Sequence, residues 1–416
     1  MTRTDVVVVD RTVGGHRGWR IVAALAVTQT IGYGVLYYSF AVLLRPMAET
    51  LRASPAAVTG ALTASVLAGA AVSVPVGRWL DRHGGRALMT TGSIAATALV
   101  LAWSQVRTVA QLYAVTIGIG LTMAMVLYDP ALAVVVSWFD ERRRANAVLG
   151  VILVAGFAST IFFPLTAVLV EHHGWRGTLV ILAILYGVVA VPLHALAVRK
   201  PPLAAGATPP TPADRGRVVR AALHDSRFWC LAVAFVAHAG AMGAMTVHLV
   251  GYLASRGHPA TLAAAIAGLL GVLSVTGRLV LTGAQRRIRL TTVVAAVFLV
   301  QAVAATALVL VGGTAGGAIV TVVAFGLGFG VASLATPQLL AGRYGTTAYG
   351  TIAGVLTTPV TLAKATAPLA AAAVLGATGS YGPVLLGVAA ACLTAVIGVL
   401  ARASTPSPAT AGTEPS

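Results

Sequence analysis

GFASTIFFPLTAVLVEHHGWRG, residues 156–177, is echoed by VTLAKATAPLAAAAVLGATGSYG, residues 360–382. Aligned, Pro164 faces Pro368 and Gly174 faces Gly379, at an offset of 204 to 205 residues. Both are long apolar runs broken by a proline and closed by a glycine, and a hydrocarbon core about 30 Å thick takes roughly 20 such residues to cross. The same offset, within a residue or two, sets Gly77 against Gly283, and Trp19 falls opposite Phe228 at a shift near 209. One unit has been duplicated.

Counting mostly apolar runs of bilayer length gives twelve: 19–44, 55–76, 87–105, 110–137, 146–169, 175–197, 228–251, 262–281, 291–311, 315–338, 350–374 and 383–401. Six lie on each side of RKPPLAAGATPPTPADRGRVVRAALH, residues 199–224, whose Pro and Arg content and lack of a spanning run read as a flexible connector. The expected organisation is a tail over 1–18, a six-helix bundle over 19–198, the linker over 199–224, a second bundle over 225–402 and a tail over 403–416. The fold class is an all-α polytopic membrane protein of twelve transmembrane helices in two pseudo-symmetric six-helix bundles. Two halves of equal topology, related by an axis along the membrane normal, place a binding site at their interface near the midplane.

Composition agrees. The chain is 58% hydrophobic and 9% charged with a mean hydropathy of +0.89, far from a soluble domain. Its net charge of +17 would suggest nucleic acid in a soluble protein, but the charge sorts by loop. With the N-terminus inside, 22 of the 28 basic residues fall on the cytoplasmic side and five outside (Arg45, Arg52, Arg107, Arg176 and Arg256), so both termini are expected in the cytoplasm and no nucleic-acid partner is implied. The expected location is the cell membrane, multi-pass. MTRTDVVVVDRTVGGHRG, residues 1–18, carries mixed charge and no small-residue cleavage site, so the first run reads as a retained helix. Cys230 and Cys392 fall inside spans, far apart, and read as core fillers.

After the second run comes GRWLDRHGGR, residues 77–86. It resembles the loop signature of the major facilitator superfamily: a Gly, a Leu, an Asp-Arg pair, then a closing Gly and basic residue. Gly77 and Gly84 permit a tight turn, Asp81 suits a neighbouring helix N-terminus, and Arg82 and Arg86 hold the loop inside. The resemblance implies that this loop latches the two halves, making Asp81 and Arg82 conformational residues. The copy in the second half, GAQRRIRL from 283, is degraded. GWRIVAALAVTQTIGYGVLYYSFAVLLRPMAETL, residues 18–51, and TGSYGPVL, residues 378–385, are similar to the monocarboxylate and oxalate/formate carrier branch.

Residues that serve only the shared scaffold recur in both halves, whereas those serving one asymmetric site do not. Three charges inside runs fail to recur. Lys364 stands opposite Thr160, Arg278 opposite Val72, and Asp129 of LYDPALAVVVSWF has only apolar or small counterparts. Lys364 sits about 14 residues, roughly 20 Å, from the inner end of its helix, too deep to snorkel. Charges at such depth face a cavity or a partner. LAKATAP, 362–368, and SVTGRLVL, 274–281, resemble the segments in which the oxalate/formate carriers hold carboxylate with a lysine and an arginine. Lys364 and Arg278 match both and are the expected substrate ligands, Arg278 having an interfacial anchor as its alternative role. The animal monocarboxylate carriers use a first-span lysine and an acid four residues before the arginine; here those positions hold Tyr37 and Ser274, so their proton coupling does not carry over.

Asp129 is an expected coupling or gating group, with a structural role in pairing helices as the alternative, and the obvious partner for Lys364; Pro130 after it is expected to bend the fourth span. His238, mid-span, is a second titratable candidate, with a neutral packed histidine as the alternative. Tyr33, Tyr37 and Tyr38 recur on the first span, with Tyr37 the candidate substrate contact and packing the alternative. Glycines in AFGLGFGVAS, 324–333, read as close helix packing. The runs show no paired catalytic acids, no Ser with a nearby His, no metal-ligand cluster and no Walker loop, so the expectation is neither an enzyme nor a cofactor or metal binder. The expected function is secondary active transport of a small organic anion, coupled to protons or anion exchange. Efflux of neutral or anionic drug-like compounds is the alternative, although GVILVAGFAS, 150–159, lacks the Gly-Pro pair of related exporters. A non-transporting sensor is the remote one.

Overall fold

The computed structural model describes residues 11–201, 210–401, 403 and 404. Of the expected tails and linker, 1–10, 202–209, Arg402 and 405–416 lie outside the described residues. Among those described, every regular element is helical. Nine helical stretches there are long and apolar enough to cross a membrane, or ten if Ala57–Ala71 and Ser73–His83, bent by 44°, are one broken span. The runs 146–169 and 175–197 share the single stretch Arg142–Ala197, and the run 262–281 lies on Ala260–Ala284.

The two glycines aligned by the repeat do the same work. Gly174 takes φ 64° inside Ala158–Ala197, and Gly379 takes φ 65° at the end of Tyr349–Thr378. Left-handed backbone favours a residue without Cβ, and each glycine reverses the chain between consecutive apolar runs.

Pro130 acts three residues earlier than its own position. The helix Val109–Val126 stops, Leu127 is extended (φ −84°, ψ −154°), and Tyr128–Trp138 restarts. A proline removes the N–H that would bond the carbonyl four residues back, here Val126. That carbonyl accepts instead from Gln29 Nε2 at 2.7 Å. In the second half, Ala315–Gly326 and Val331–Tyr344 are separated by a turn, and the Phe325 carbonyl accepts from Gln301 Nε2 at 2.9 Å. Both glutamines are fully buried. Inside a bilayer no water serves a freed carbonyl, so a side-chain amide from another helix makes the break tolerable.

Loops gather at one end of the molecule. Lys200 Nζ donates to the Arg82 carbonyl (2.9 Å), Arg86 Nε to Ala195 (2.8 Å) and Trp138 Nε1 to Arg199 (2.7 Å). The helix Pro212–His224 of the linker, opened by a Thr211/Asp214 capping box, packs at this end. We call it the linker end. Here a single hydrophobic core takes buried residues from both halves of the chain, among them Val135, Val148 and Ile152 with Leu231, Leu334 and Ile352. The other two large cores are separate, one built only from residues between 35 and 190, the other only from residues between 241 and 392. The halves are therefore fused at the linker end and splayed at the opposite one.

Asp225 pins the linker end of the second half. It caps Ser226–Ser255 and accepts from Arg343 Nε (2.7 Å), Tyr344 Oη (2.8 Å) and the Arg227 N–H (3.0 Å). Burial alone would raise this carboxyl, but the Arg343, Arg227 and Tyr344 donors hold it below the usual carboxylate value. A depressed native pKa contributes stability that is present above the unfolded value, about 3.9, and is lost as pH falls through the native one. Asp225→Asn should lower Tm at neutral pH, the two unfolding curves converging as pH drops below about 4; a pH-independent gap would contradict this role. Gln29→Leu should cost about 1–3 kcal/mol, the penalty for a buried carbonyl left unpaired, read as a lower Tm of the solubilised chain.

Candidate functional site

Away from the linker end the halves keep separate cores, and a cluster of aromatic residues gathers into a wall on the first half there. The helix Arg11–Tyr33 widens into a π-helical turn over Gly34–Tyr38 before Ser39–Leu51 resumes. Such bulges insert a residue and re-aim side chains, often at functional sites. Gly34 makes room for it, since a Cβ there would overlap the Phe162 ring. Tyr33 packs on Tyr128 (4.6 Å between centroids) and near Tyr37 (6.5 Å), Tyr37 meets Tyr38 edge-on (5.3 Å), and Tyr38 meets Phe163 (5.5 Å). The phenols of Tyr33, Tyr37, Tyr38 and Tyr128 are all half-buried at this wall.

Arg278 reaches this wall from Ala260–Ala284. It is only 9% exposed, and its guanidinium points between the halves, near Tyr33, Tyr38 and Tyr128, which is not the placement of an interfacial anchor. Its contacts to the Gly330 carbonyl (3.4 Å) and across to the Ile152 carbonyl (3.5 Å) are longer than an ordinary N–H···O bond of about 2.9 Å. Most of its donor capacity is unspent.

Lys364 lies mid-span on Tyr349–Thr378 and is exposed. Pro368, one turn on, removes the N–H that would bond the Lys364 carbonyl. That carbonyl abuts Gly243 of Ser226–Ser255, where any Cβ would overlap it. Close backbone contact thus fixes the root of the lysine while its ammonium stays accessible. Asp129 does not pair with it. Neither the Arg217–Asp214 nor the Arg343–Asp225 salt bridge involves either residue, and the Asp129 carboxylate faces the Thr357 hydroxyl. Thr357 precedes Lys364 by seven residues, two turns or about 10 Å along the same face. Asp129 also begins Tyr128–Trp138, where the helix dipole favours a carboxylate.

His238 is packed. It is 2% exposed, stacked on Phe298 (4.2 Å), and its Nε2 meets Gln301 Oε1 at 3.1 Å. A Ser–His contact that the linear sequence hides does exist: Ser93 Oγ lies 2.6 Å from His194 Nδ1, with Thr28 Oγ1 3.0 Å from Nε2. All three are at most 2% exposed and the imidazole has a hydroxyl where a triad places an acid, so the arrangement is a sealed polar network. No group of three or more His, Cys, Asp or Glu able to hold a metal occurs among the described residues.

The motif residues sit at the linker end, away from the gap. Asp81 Oδ1 accepts from the Gly350 N–H (2.8 Å), and Oδ2 from the Thr351 N–H (2.8 Å) and hydroxyl (2.6 Å), so one carboxylate caps the first turn of Tyr349–Thr378. Gly77 lets the backbones of those two helices touch at the Gly350 carbonyl. Gly84 takes φ 77° beneath the Lys200 side chain, and Arg82 and Arg86 are exposed beside it.

A family model, Major Facilitator Superfamily, matches residues 25–368. The chain belongs to the Major Facilitator Superfamily. The superfamily resemblance of GRWLDRHGGR is thereby borne out. Among curated relatives, the uncharacterized MFS-type transporter YcxA of Bacillus subtilis (strain 168) is 28% identical over 182 residues, 43% of this chain and 44% of that protein. Monocarboxylate transporter 11 of Mus musculus is 32% identical over 185 residues, 43% of this chain and 38% of that protein. The chain spans less than half the length of each of these relatives. Among solved structures, the E. coli fucose:proton symporter FucP superposes with TM-score 0.71 at 15% identity, covering 91% of this chain and 97% of that one. The human organic anion transporter MFSD10 (TETRAN) gives TM-score 0.70 at 15% identity, covering 92% and 99%. At that identity the likeness is one of fold. These relatives and neighbours are transporters, not enzymes.

The placement of this MFS protein's two titratable mid-span candidates is directly checkable. With Cys230 and Cys392 replaced, Lys364→Cys should react with a membrane-impermeant thiol reagent and His238→Cys should not; equal protection of both would contradict an open gap at Lys364.

Proposed function

We propose that this protein is a secondary active transporter of a small organic anion, a mono- or dicarboxylate, working by alternating access between two six-helix bundles, residues 19–198 and 225–402. The observation that supports this most is the presence of two mid-span cations, Lys364 and Arg278. Both lie on the second half of the chain, both turn toward the gap, and neither has a carboxylate in salt-bridge reach. A substrate carboxylate supplies the missing charge: Arg278 offers a planar fork, Lys364 a compact ammonium, and the tyrosine wall holds the organic part. Similarity to monocarboxylate transporter 11 over 43% of the chain favours the same substrate class.

In the twelve-span topology the linker end is cytoplasmic, because that orientation puts most of the basic loop residues on the inside. The arrangement fused at the linker end is then outward-facing, with the site open to the exterior of the cell membrane. Inward opening requires release of Asp81 from Gly350 and Thr351, and of the core shared by both halves. Asp129, on the path between the tyrosine wall and Thr357, is the group for proton coupling, with anion exchange as the other drive.

In proteoliposomes, unlabelled carboxylate inside should drive uptake of labelled carboxylate. Lys364→Gln should abolish this counterflow, and Arg278→Lys, which keeps the charge but loses the fork, should reduce it about tenfold or more. Wild-type counterflow in a folded Lys364→Gln protein would overturn the assignment.

A further inference from the structure

Gly156 and Gly330 stand where two helices break, one in each half. Gly156 closes the last turn of Glu141–Ala155 before Ala158–Ala197 begins, and Gly330 ends the turn between Ala315–Gly326 and Val331–Tyr344. Neither has to be glycine for the sake of its backbone. Gly156 takes φ −59°, ψ −24° and Gly330 takes φ −102°, ψ −2°, values open to any L residue. The missing side chain is therefore a matter of space, and at both positions Arg278 reaches into that space.

A Cβ on Gly330 would come within 2.6 Å of Arg278 Nε, and one on Gly156 within 3.1 Å of Arg278 Nη1. The two glycines differ in what else they meet. Gly330 also abuts the Ser274 carbonyl, on the helix that carries Arg278, so close helix packing accounts for part of its role. Of the three atoms nearest a Gly156 Cβ, two are the Ile152 and Leu153 carbonyls of its own turn, and the one from elsewhere in the chain is Arg278 Nη1. Gly277, beside the arginine, shows the contrast: a Cβ there would overlap the Leu327 carbonyl, backbone against backbone.

Gly156 also helps to build what the arginine meets. Its N–H donates to the Ile152 carbonyl at 2.9 Å and closes the turn, and that same carbonyl is the first-half atom that Arg278 Nη1 approaches at 3.5 Å. The guanidinium thus lies against a turn of the first half that presents backbone and no side chain at Gly156.

We propose that Gly156 is a positioning residue for the anion site: having no side chain, it gives Arg278 room to carry its guanidinium across from the second half, and so sets the aim of the fork. This rests on the reading of Arg278 as a substrate ligand. A carboxylate held by two parallel N–H···O bonds is sensitive to small displacements of the fork. A methyl group at position 156 would impose one of a few tenths of an ångström on the free end of a flexible side chain, which leaves the fold intact. Because Gly156 belongs to the half that does not carry the arginine, the seat is complete only when the two helix breaks face each other, and the aim of the fork follows the arrangement of the halves.

The test is a double-mutant cycle of Gly156→Ala with Arg278→Lys in the full-length protein, since a lysine side chain ends short of the Nη1 position. In carboxylate counterflow, Gly156→Ala should raise the half-saturating concentration at least about threefold while the maximal rate stays within about twofold, as displacement of a binding group requires. In the Arg278→Lys background the same change should leave half-saturation where it was. Thermal unfolding without substrate reads the seat independently and decides the matter where Arg278→Lys counterflow is too slow to saturate. An alanine at helical φ, ψ ordinarily gains stability over glycine by restricting the unfolded chain, so Gly156→Ala should raise Tm in the Arg278→Lys background and lower it in the wild type. Equal shifts in the two backgrounds by either measurement would reveal a packing role and overturn the proposal, as would a Gly156→Ala protein indistinguishable from the wild type. Absence of carboxylate counterflow in the wild type would count against the transport reading, while the unfolding cycle would still decide whether Gly156 seats Arg278.

Discussion

Lys364 and Arg278 carry charge within apolar helices, and neither has a salt bridge to a described carboxylate. An unpaired charge at the bilayer centre costs at least about 2.5–3.5 kcal/mol if it meets lipid. Lys364 avoids lipid by facing the opening between the halves, and Arg278 by threading between them toward Ile152 and the tyrosines.

The scaffold that permits this is built from broken helices whose defects are repaired from elsewhere. Gln29 serves the carbonyl that Pro130 frees, and Gln301 serves the carbonyl at the second break. Glycines bring backbones together where the halves must latch, at Gly77 against Gly350, and where the lysine must be rooted, at Gly243 against Lys364. Asp81 joins the first half to the second with three hydrogen bonds at one helix start.

What the linear sequence revealed follows from what is local. Apolar run length marks the spanning helices, GRWLDRHGGR marks the superfamily, and the repeat placed Gly174 and Gly379 at equivalent positions, where both prove left-handed. Pro130 signalled a disturbance in the fourth span, but the break falls at Leu127, because the proline acts through the carbonyl four residues before it. Long-range partners left no local trace. Gln29 and Val126 are 97 residues apart, Ser93 and His194 are 101 apart, and Thr357, which displaces Lys364 as the group facing Asp129, belongs to the other half of the chain. The π-helical turn at Gly34–Tyr38 was hinted at only by the 33, 37, 38 spacing of tyrosines, which fits an ordinary helix equally well.

The most direct measurement is a structure of the full-length protein with a bromine-bearing carboxylate, located by its anomalous signal. The carboxylate should lie between the Lys364 ammonium and the Arg278 guanidinium, with the bromine toward Tyr33, Tyr37 and Tyr38. Bromine density elsewhere in the chain, or none between those two side chains at saturating ligand, would contradict an anion site in the gap.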